Sequence, residues 1–109
     1  MIIDFETLPI KTFPHFYDGT KEMNAQLFMD DANRIMLVTL EPGASVGSHH
    51  HDEQSEIIYI LEGSATIVFN GETEYIAKGQ CHYCPKGNTH SIANEGQSDL
   101  VFFAVAPTQ

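Results

Sequence analysis

The sequence is poor in basic residues. Lysine and arginine together number 5 against 15 aspartate and glutamate residues, which gives a formal net charge of −10. A chain with this balance repels nucleic-acid phosphates and anionic membrane surfaces. We therefore expect neither a nucleic acid nor a membrane as a partner. The charge excludes little for a small-molecule ligand, because a bound metal ion can reverse the local field in a pocket.

Long hydrophobic runs are also missing. No segment approaches the apolar length of a membrane span, and the first residues, MIIDFETLPIK, lack the basic start and apolar stretch of a signal peptide. We therefore expect a cytoplasmic protein. Hydrophobic residues still make up 42% of the sequence, which favours a folded core over disorder. The length predicts a single domain over residues 1–109.

Cysteine occurs only twice, as Cys81 and Cys84 in CHYC. A redox CxxC motif usually opens a helix, whereas here Pro85 follows at once and the flanking residues are typical of a strand. We interpret the pair as two small buried hydrophobic residues on a strand rather than as a redox or zinc pair.

Helical periodicity is absent over any useful length, and short β-branched and aromatic runs take its place. Each run ends at glycine, proline or Asn-Gly, and Asn70-Gly71 predicts a hairpin. The stretch TKEMNAQLFMDD at 20–31 stays open between helix and strand. This spacing predicts an all-β sandwich or barrel. The predicted strands are 34–43, 56–63, 64–71, 72–79, 80–87 and 99–107.

Several predicted strands are apolar on both faces. In residues 56–61, Ile58 and Ile60 share a face with Glu56, while Ile57, Tyr59 and Leu61 take the other. A second layer must cover that face, so we predict a homodimer. An N-terminal segment could add a strand to a partner's sheet or fold back on its own barrel. Its apolar residues are Ile2, Ile3, Phe5, Leu8 and Ile10.

Three consecutive histidines lie in GASVGSHHHDEQSE. On a strand, His49 and His51 share one face and His50 points to the other. Two imidazoles about 6–7 Å apart along a strand can converge on one ion, and Glu56 follows after four residues that can form a turn. The alternative is a solvated polar turn with no ligand role.

Ten residues of the chain resemble the two motifs of the cupin superfamily, at 43–63 and 79–94. They are Gly43, His49, His51, Glu56 and Gly63 in the first, and Gly79, Pro85, Gly87, His90 and Asn94 in the second. The resemblance implies a double-stranded β-barrel of jelly-roll type. It also implies one divalent transition metal ion (Mn²⁺, Fe²⁺, Ni²⁺, Co²⁺ or Zn²⁺), with His50 as a bystander. The implied ligands are His49, His51, Glu56 and His90.

The same resemblance suggests a substrate pocket. In small cupins the strand before the first motif and the last strand line the barrel mouth, which here implies that Met36, Phe102 and Ala104 point inward. Arg34 is a candidate for holding a substrate carboxylate, because its fork matches two oxygens. Plain core packing and a solvated arginine are the alternatives. No role is assigned to the ionisable residues His15, His82 and Tyr83.

Fold alone does not determine function. Cupins with these ligands include dioxygenases, decarboxylases, isomerases and lyases, so we expect a metal-dependent enzyme acting on a small, oxygen-rich molecule that chelates the ion. Catalytic residues beyond the ligands are not assigned. A metal-bearing binding or sensor module without turnover is the main alternative. A purely structural metal site is the third hypothesis.

Overall fold

The computed structural model describes all residues from Met1 to Gln109. Short runs rich in β-branched residues pair as ten strands, and a short 3-10 helix lies at Phe16–Asp18. The strands are β1 (Lys11–Pro14), β2 (Glu22–Met29), β3 (Asn33–Leu40), β4 (Ser45–His50), β5 (Glu56–Glu62), β6 (Ser64–Phe69), β7 (Glu72–Ala77), β8 (Cys81–Cys84), β9 (Thr89–Ala93) and β10 (Leu100–Pro107).

The strands form two antiparallel sheets that face each other. The larger sheet has the order β1-β2-β3-β10-β5-β8, and the smaller has the order β4-β9-β6-β7. The chain passes repeatedly from one sheet to the other, which is the jelly-roll arrangement. The prediction of an all-β jelly-roll fold is therefore confirmed, with two separately hydrogen-bonded sheets forming the walls.

A hydrophobic core fills the space between the sheets. Alternate residues of each strand point into it: on β10, for example, Leu100, Phe102 and Ala104 are buried while Val101 and Phe103 are only partly so. The core is a cluster of 16 buried residues: Met23, Ala25, Met36, Val38, Leu40, Ala44, Val46, Ile58, Ile60, Ala65, Ile67, Ile76, Ile92, Leu100, Phe102 and Ala104.

Two sequence interpretations are resolved by the pairing of strands. The stretch 20–31, open between helix and strand from the sequence, contains β2, which pairs with β1 on one side and β3 on the other. Its residues Met23 and Ala25 point into the core between the two sheets. The expectation that both cysteines are buried is wrong for Cys81. Residues three apart on a strand point to opposite faces, so Cys84 is buried and Cys81 is exposed.

Two turns show why specific residues are required. Asn70 (φ 49°) and Gly71 (φ 83°) both lie in the left-handed region, and they join β6 to β7 as the predicted hairpin. Gly63 has φ 79°, and a Cβ there would lie 2.7 Å from the Asp99 carbonyl oxygen. Any larger residue would push apart the β5–β6 corner and the approach to β10.

The N-terminal segment lies against the outer face of its own larger sheet. The Phe5 ring packs edge-on against Phe103, with centroids 6.1 Å apart. The Gln26 side-chain amide donates to the carbonyl oxygens of Phe5 and Leu8, the latter at 3.2 Å. In the single chain the segment therefore covers part of this face itself. None of the protein's helical segments has the length and apolar character needed to cross a membrane.

Candidate metal centre

Four potential ligands meet at one end of the sandwich because of the strand register. His49, near the end of β4, pairs directly with His90 on β9. His51 follows β4, and Glu56 is the first residue of β5. The register of the β4–β9 pair shifts between Val46 and His49. Such an irregularity bends the strand, so the side chains at the end of β4 point in a different direction from those at its start.

The four donor atoms are spaced as an ion would require. The Nε2 atom of His90 lies 2.9 Å from His51 Nε2, 3.1 Å from His49 Nε2 and 3.0 Å from Glu56 Oε1. Ligands about 2.1 Å from a metal at right angles to one another are about 3.0 Å apart. All four donors lie within 4.8 Å of one another, so these residues fit a metal ion.

The ring of His49 is fixed by its second nitrogen. Nδ1 donates to the Gly47 carbonyl oxygen at 2.8 Å, which leaves Nε2 without a proton and free to bind a metal. The Tyr17 ring stacks on the imidazole, with centroids 4.3 Å apart and planes 12° apart. Gly47 lies so close to the Tyr17 carbonyl oxygen that a Cβ would clash there. Glycine at 47 therefore allows the 3-10 segment to cover His49.

His50 points away from the cluster. Its Nδ1 lies 2.8 Å from Thr89 Oγ1, its Nε2 lies 3.3 Å from Asp52, and its side chain is half exposed. The structure therefore separates His50 from His49 and His51, as strand alternation predicts. The four residues expected as ligands are brought together.

The two oxygens of Glu56 have different neighbours. Oε1 faces the imidazoles of His51 and His90, while Oε2 accepts from Arg34 Nη2 at 3.3 Å. Burial raises the pKa of the Glu56 carboxyl, but the hydrogen bonds from His51 and His90 and the positive charge of Arg34 outweigh it. The pKa therefore lies well below its ordinary value, and the carboxyl is ionised.

Two histidines at the centre, His49 and His82, are kept neutral by burial. Burial lowers the pKa of His49 to about 4, against a smaller opposing effect of the hydrogen bond to Gly47. Burial, followed by the proximity of His90, also lowers the pKa of His82, and Glu74 only partly offsets this. Neutral imidazole is the form that binds metals.

A small cavity borders His49 and Glu56. Its volume is about 20 Å³, room for one or two water-sized groups. Arg34, Met36 and Phe102 all contribute to its wall, as the pocket prediction expects. The remaining lining residues are Phe16, Tyr17, Met23, Val46, Ile58 and Ile92.

Ala104 differs from the other predicted pocket residues. It points inward and is fully buried, but it is not part of the cavity wall. Its register partners on the flanking strands are Met36 and Ile58, whose larger side chains reach further and do line the cavity. Ala104 is therefore a core residue that makes room for them.

A wider depression of about 360 Å³ lies on the solvent side of the cluster. It is polar, and Asp52 and Glu53 lie on its rim. Tyr17 and His49 line both this depression and the inner cavity, so these two stacked rings form the wall between them. A ligand that enters from solvent would pass this wall.

Sequence reasoning did not assign two residues that contact the candidate ligands. His82 Nε2 lies 3.0 Å from His90 Nδ1, although His82 is not one of the ten residues that match the motifs. Tyr17 stacks on His49 from the N-terminal region. The alternation of CHYC places His82 on the same face as buried Cys84, but its proximity to His90 depends on how the two sheets pack. His15 is exposed, and its Nδ1 lies 3.1 Å from the Gly19 carbonyl oxygen.

Residues 36–106 match the family model described as the cupin domain, which covers more than half of the chain. The chain belongs to the cupin family. The fold and the resemblance of its two sequence motifs agree with this membership. The cluster of three histidines and one glutamate agrees with a metal-binding cupin.

Three matches to known proteins and structures illustrate the relationship. An oxalate-binding protein of Thermotoga maritima is 44% identical over 83 residues, which cover 76% of this chain and 69% of that protein. A crystal structure of a predicted oxalate decarboxylase from Thermotoga maritima matches over the full length of both chains, with a TM-score of 0.93 and 29% identity. The cupin domain of Schizosaccharomyces pombe Cnp3 has a TM-score of 0.82 at 15% identity, covers all of this chain and 74% of that one, and shows the shared fold alone.

Proposed function

We propose that this cupin holds one divalent transition metal ion and uses it to bind, and act on, a small chelating acid of the oxalate class. The ligands are His49, His51, Glu56 and His90. The observation that carries the proposal is the spacing of 2.9 to 3.1 Å between His90 Nε2 and the three other donors. A six-coordinate ion held by four protein donors leaves two positions for the oxygens of a ligand.

The charge of the site supports an anionic ligand. A divalent ion and the Glu56 carboxylate together carry one net positive charge, and Arg34 adds a second beside them. The Nε atom of Arg34 is buried without a hydrogen-bond partner, so it can donate to a further oxygen. A doubly charged dicarboxylate would balance these charges.

The size of the cavity supports a very small ligand. With about 20 Å³ beside His49 and Glu56, the cavity takes only one or two oxygen-sized groups, so the rest of a molecule such as oxalate would lie toward the wider depression. A sugar phosphate would require the wall of Phe16 and Tyr17 to move. Arg34 is also the only arginine in the chain. The descriptions of the Thermotoga maritima matches in sequence and in structure refer to oxalate and agree with this choice of ligand.

Turnover is proposed in the form of a dioxygenase- or decarboxylase-like reaction. A bound metal would supply Lewis acidity or, as iron or nickel, a site for dioxygen. Arg34 would orient the ligand's carboxylate, while Met36 and Phe102 exclude water from it. Glu56, ionised and tied to Arg34 through its second oxygen, would keep its first oxygen directed at the ion.

Binding without turnover is the second candidate function, and one observation favours it. Besides the ligands His49 and Glu56, the only ionisable side chains in the cavity wall are Arg34 and Tyr17. The cavity therefore offers few groups for proton transfer to a reacting molecule. A binding or sensor module needs none.

The two candidates separate in one experiment. Untagged protein is analysed for metal, loaded with Co²⁺ and titrated with oxalate while its visible spectrum is followed. A spectral change at millimolar oxalate supports ligand binding at the ion, and an unchanged spectrum contradicts it. Release of CO₂ or consumption of O₂ by the same protein then distinguishes the enzyme from the binding module.

A homodimer remains part of the proposal. Ile57, Tyr59 and Tyr83 lie together on the outer face of β5 and β8 and expose 40%, 43% and 54% of their surface. The N-terminal segment contacts Phe103 and Gln26 and leaves these three residues uncovered. A second copy would bury them. Light scattering at micromolar concentration should give twice the chain mass of 12.1 kDa, and a monomer mass would refute the dimer.

A further inference from the structure

A row of three polar side chains leads from the centre to the protein surface. His90 Nδ1 lies 3.0 Å from His82 Nε2, and His82 Nδ1 lies 3.0 Å from Glu74 Oε1. The His82 side chain is 2% exposed and that of Glu74 is 42% exposed. The row therefore begins at a buried ligand and ends in water.

The row crosses between the two sheets. His82 lies on β8, the edge strand of the larger sheet, and Glu74 lies on β7, the edge strand of the smaller one. His90 lies on β9 beside β6. The imidazole of His82 packs against the rings of His90 and Phe69, with centroids 5.2 Å and 5.5 Å away. These contacts and the hydrogen bonds at both ring nitrogens restrict the ring to one orientation.

The protons in this row can be placed in only one way if His90 binds a metal through Nε2. Nε2 is then bare, so Nδ1 of His90 carries the proton and donates to His82 Nε2. His82 must carry its own proton on Nδ1, and it donates that proton to the Glu74 carboxylate. Each of the two hydrogen bonds then has one donor and one acceptor.

We propose that His82 and Glu74 are positioning residues that act through His90. They keep the Nε2 lone pair of His90 directed at the ion. They also make Nε2 a stronger electron-pair donor to the metal, because the Glu74 carboxylate makes His82 a better acceptor for the Nδ1 proton of His90. This proposal rests on the proposed metal site. In many metal sites a carboxylate accepts a hydrogen bond from the nitrogen of a histidine that does not bind the metal, which orients the ring and raises its basicity. Here His82 lies between the carboxylate of Glu74 and His90.

A second metal ion held by His82, Cys84 and His90 is the competing interpretation, since their donor atoms also lie within 4.8 Å of one another. Two facts weigh against it. His90 presents Nδ1 to this second set and Nε2 to the first, so binding both ions at once would require its imidazole to lose both of its ring protons. Burial, followed by the charge of Glu56, raises the pKa of the Cys84 thiol to about 11, so the thiolate that a metal needs is disfavoured.

The test uses Glu74→Gln, because this side chain is partly exposed and its loss leaves the core intact. Glu72→Gln is the matched control: it removes the same charge two residues away on the same strand, at an exposed position. Co²⁺ affinity is measured by competition with a chelator, and metal-free stability by urea unfolding. We expect Glu74→Gln to weaken Co²⁺ binding about 10-fold and Glu72→Gln to leave it unchanged. Equal affinity in the two variants would overturn the proposal.

His82→Gln extends the test, and a larger loss of Co²⁺ affinity than in Glu74→Gln is expected. A purely structural role would lower metal-free stability without this graded loss of affinity. Should His82→Gln not fold, the Glu74 pair still decides. If the wild-type chain binds two ions and Cys84→Ser binds only one, the hydrogen-bonded row is wrong and His82, Cys84 and His90 form a second metal site.

Nitrogen NMR of histidine-labelled protein loaded with Zn²⁺, a diamagnetic ion, tests these proton positions under the condition for which they were derived. The expected pattern is a proton on Nδ1 of both His82 and His90, and a proton on Nε2 of His82 would overturn the row. Wild-type protein that binds no Co²⁺ would refute the metal site itself. Wild-type binding with unchanged affinity in both variants would refute only the positioning role.

Discussion

The two sides of the histidine–glutamate cluster differ in what surrounds them. On one side Arg34, Met36 and Phe102 line a small cavity beside His49 and Glu56. On the other side the protein itself fills the space, with His82 hydrogen-bonded to His90. The same donors thus have an open side, where a ligand can bind, and a closed side, which holds the ligands in place. The difference suggests that recognition and support can be changed separately.

Removing a donor common to both sides should have the largest effect. We expect His51→Ala to reduce metal content from about one ion per chain to nearly none, because His51 is buried within the cluster. The neighbouring His50→Ala should keep its metal, because His50 faces Thr89 and solvent. Elemental analysis of both purified variants checks this. Equal loss in the two would contradict the separation of the strand faces.

The open side can be changed next through Arg34. Replacement by lysine keeps the charge but removes the planar fork, so oxalate affinity should fall by about 10-fold, or about 1.4 kcal/mol, while metal content is retained. Lys78→Arg, an exchange between the same two residue types at an exposed position, is the control. Titration calorimetry on metal-loaded protein gives both affinities. Loss of metal in Arg34→Lys would show that the main role of the arginine is to hold Glu56 and would contradict its role in binding the ligand.

Acid should destabilise the metal-free protein through one buried histidine on each side of the cluster, His49 on the open side and His82 on the closed side. The pKa of His49 is about 4 in the folded chain and 6.5 when unperturbed, and that of His82 is lowered too. Between these values the unfolded chain binds more protons than the folded one, so stability is lost as pH falls from about 6.5 to about 4. Urea midpoints measured across this range with a chelator present check the sign. A flat profile would contradict the burial of His49.

The closed side should also protect Cys84 from chemical modification, and this is the smallest of the expected effects. Cys81 is exposed on β8, whereas Cys84 is buried and its thiol pKa is raised to about 11 by burial. Iodoacetamide at pH 8 should therefore alkylate one thiol per folded chain, and Cys81→Ser should leave none reactive. Mass spectrometry counts the added groups. Rapid labelling of Cys84 would show that the closed side opens.

Strand alternation was enough to predict much of the fold. The runs that became β3, β5, β6, β7, β8 and β10 carry the period-two pattern of buried residues. The stretch at 20–31, which is open between helix and strand from the sequence, forms β2 through its pairing with β1 and β3.

The site was predictable only in part. The faces of His49, His50 and His51 follow from local geometry, while the approach of His90 came from the resemblance of its motif. The contact between His82 and Glu74 joins edge strands of different sheets, so no local pattern reveals it. The stacking of Tyr17 on His49 depends on a left-handed backbone at Tyr17, which its sequence does not signal.

The position of β10 has a consequence for how the chain folds. This strand, Leu100–Pro107, lies between β3 and β5 in the larger sheet, although it follows them in the sequence by dozens of residues. Until it inserts, β3 and β5 each present an unpaired edge, and closure over so long a loop is slow. The nascent chain would therefore emerge from the ribosome with both edges exposed, which is the stage at which chaperones or aggregation compete with folding.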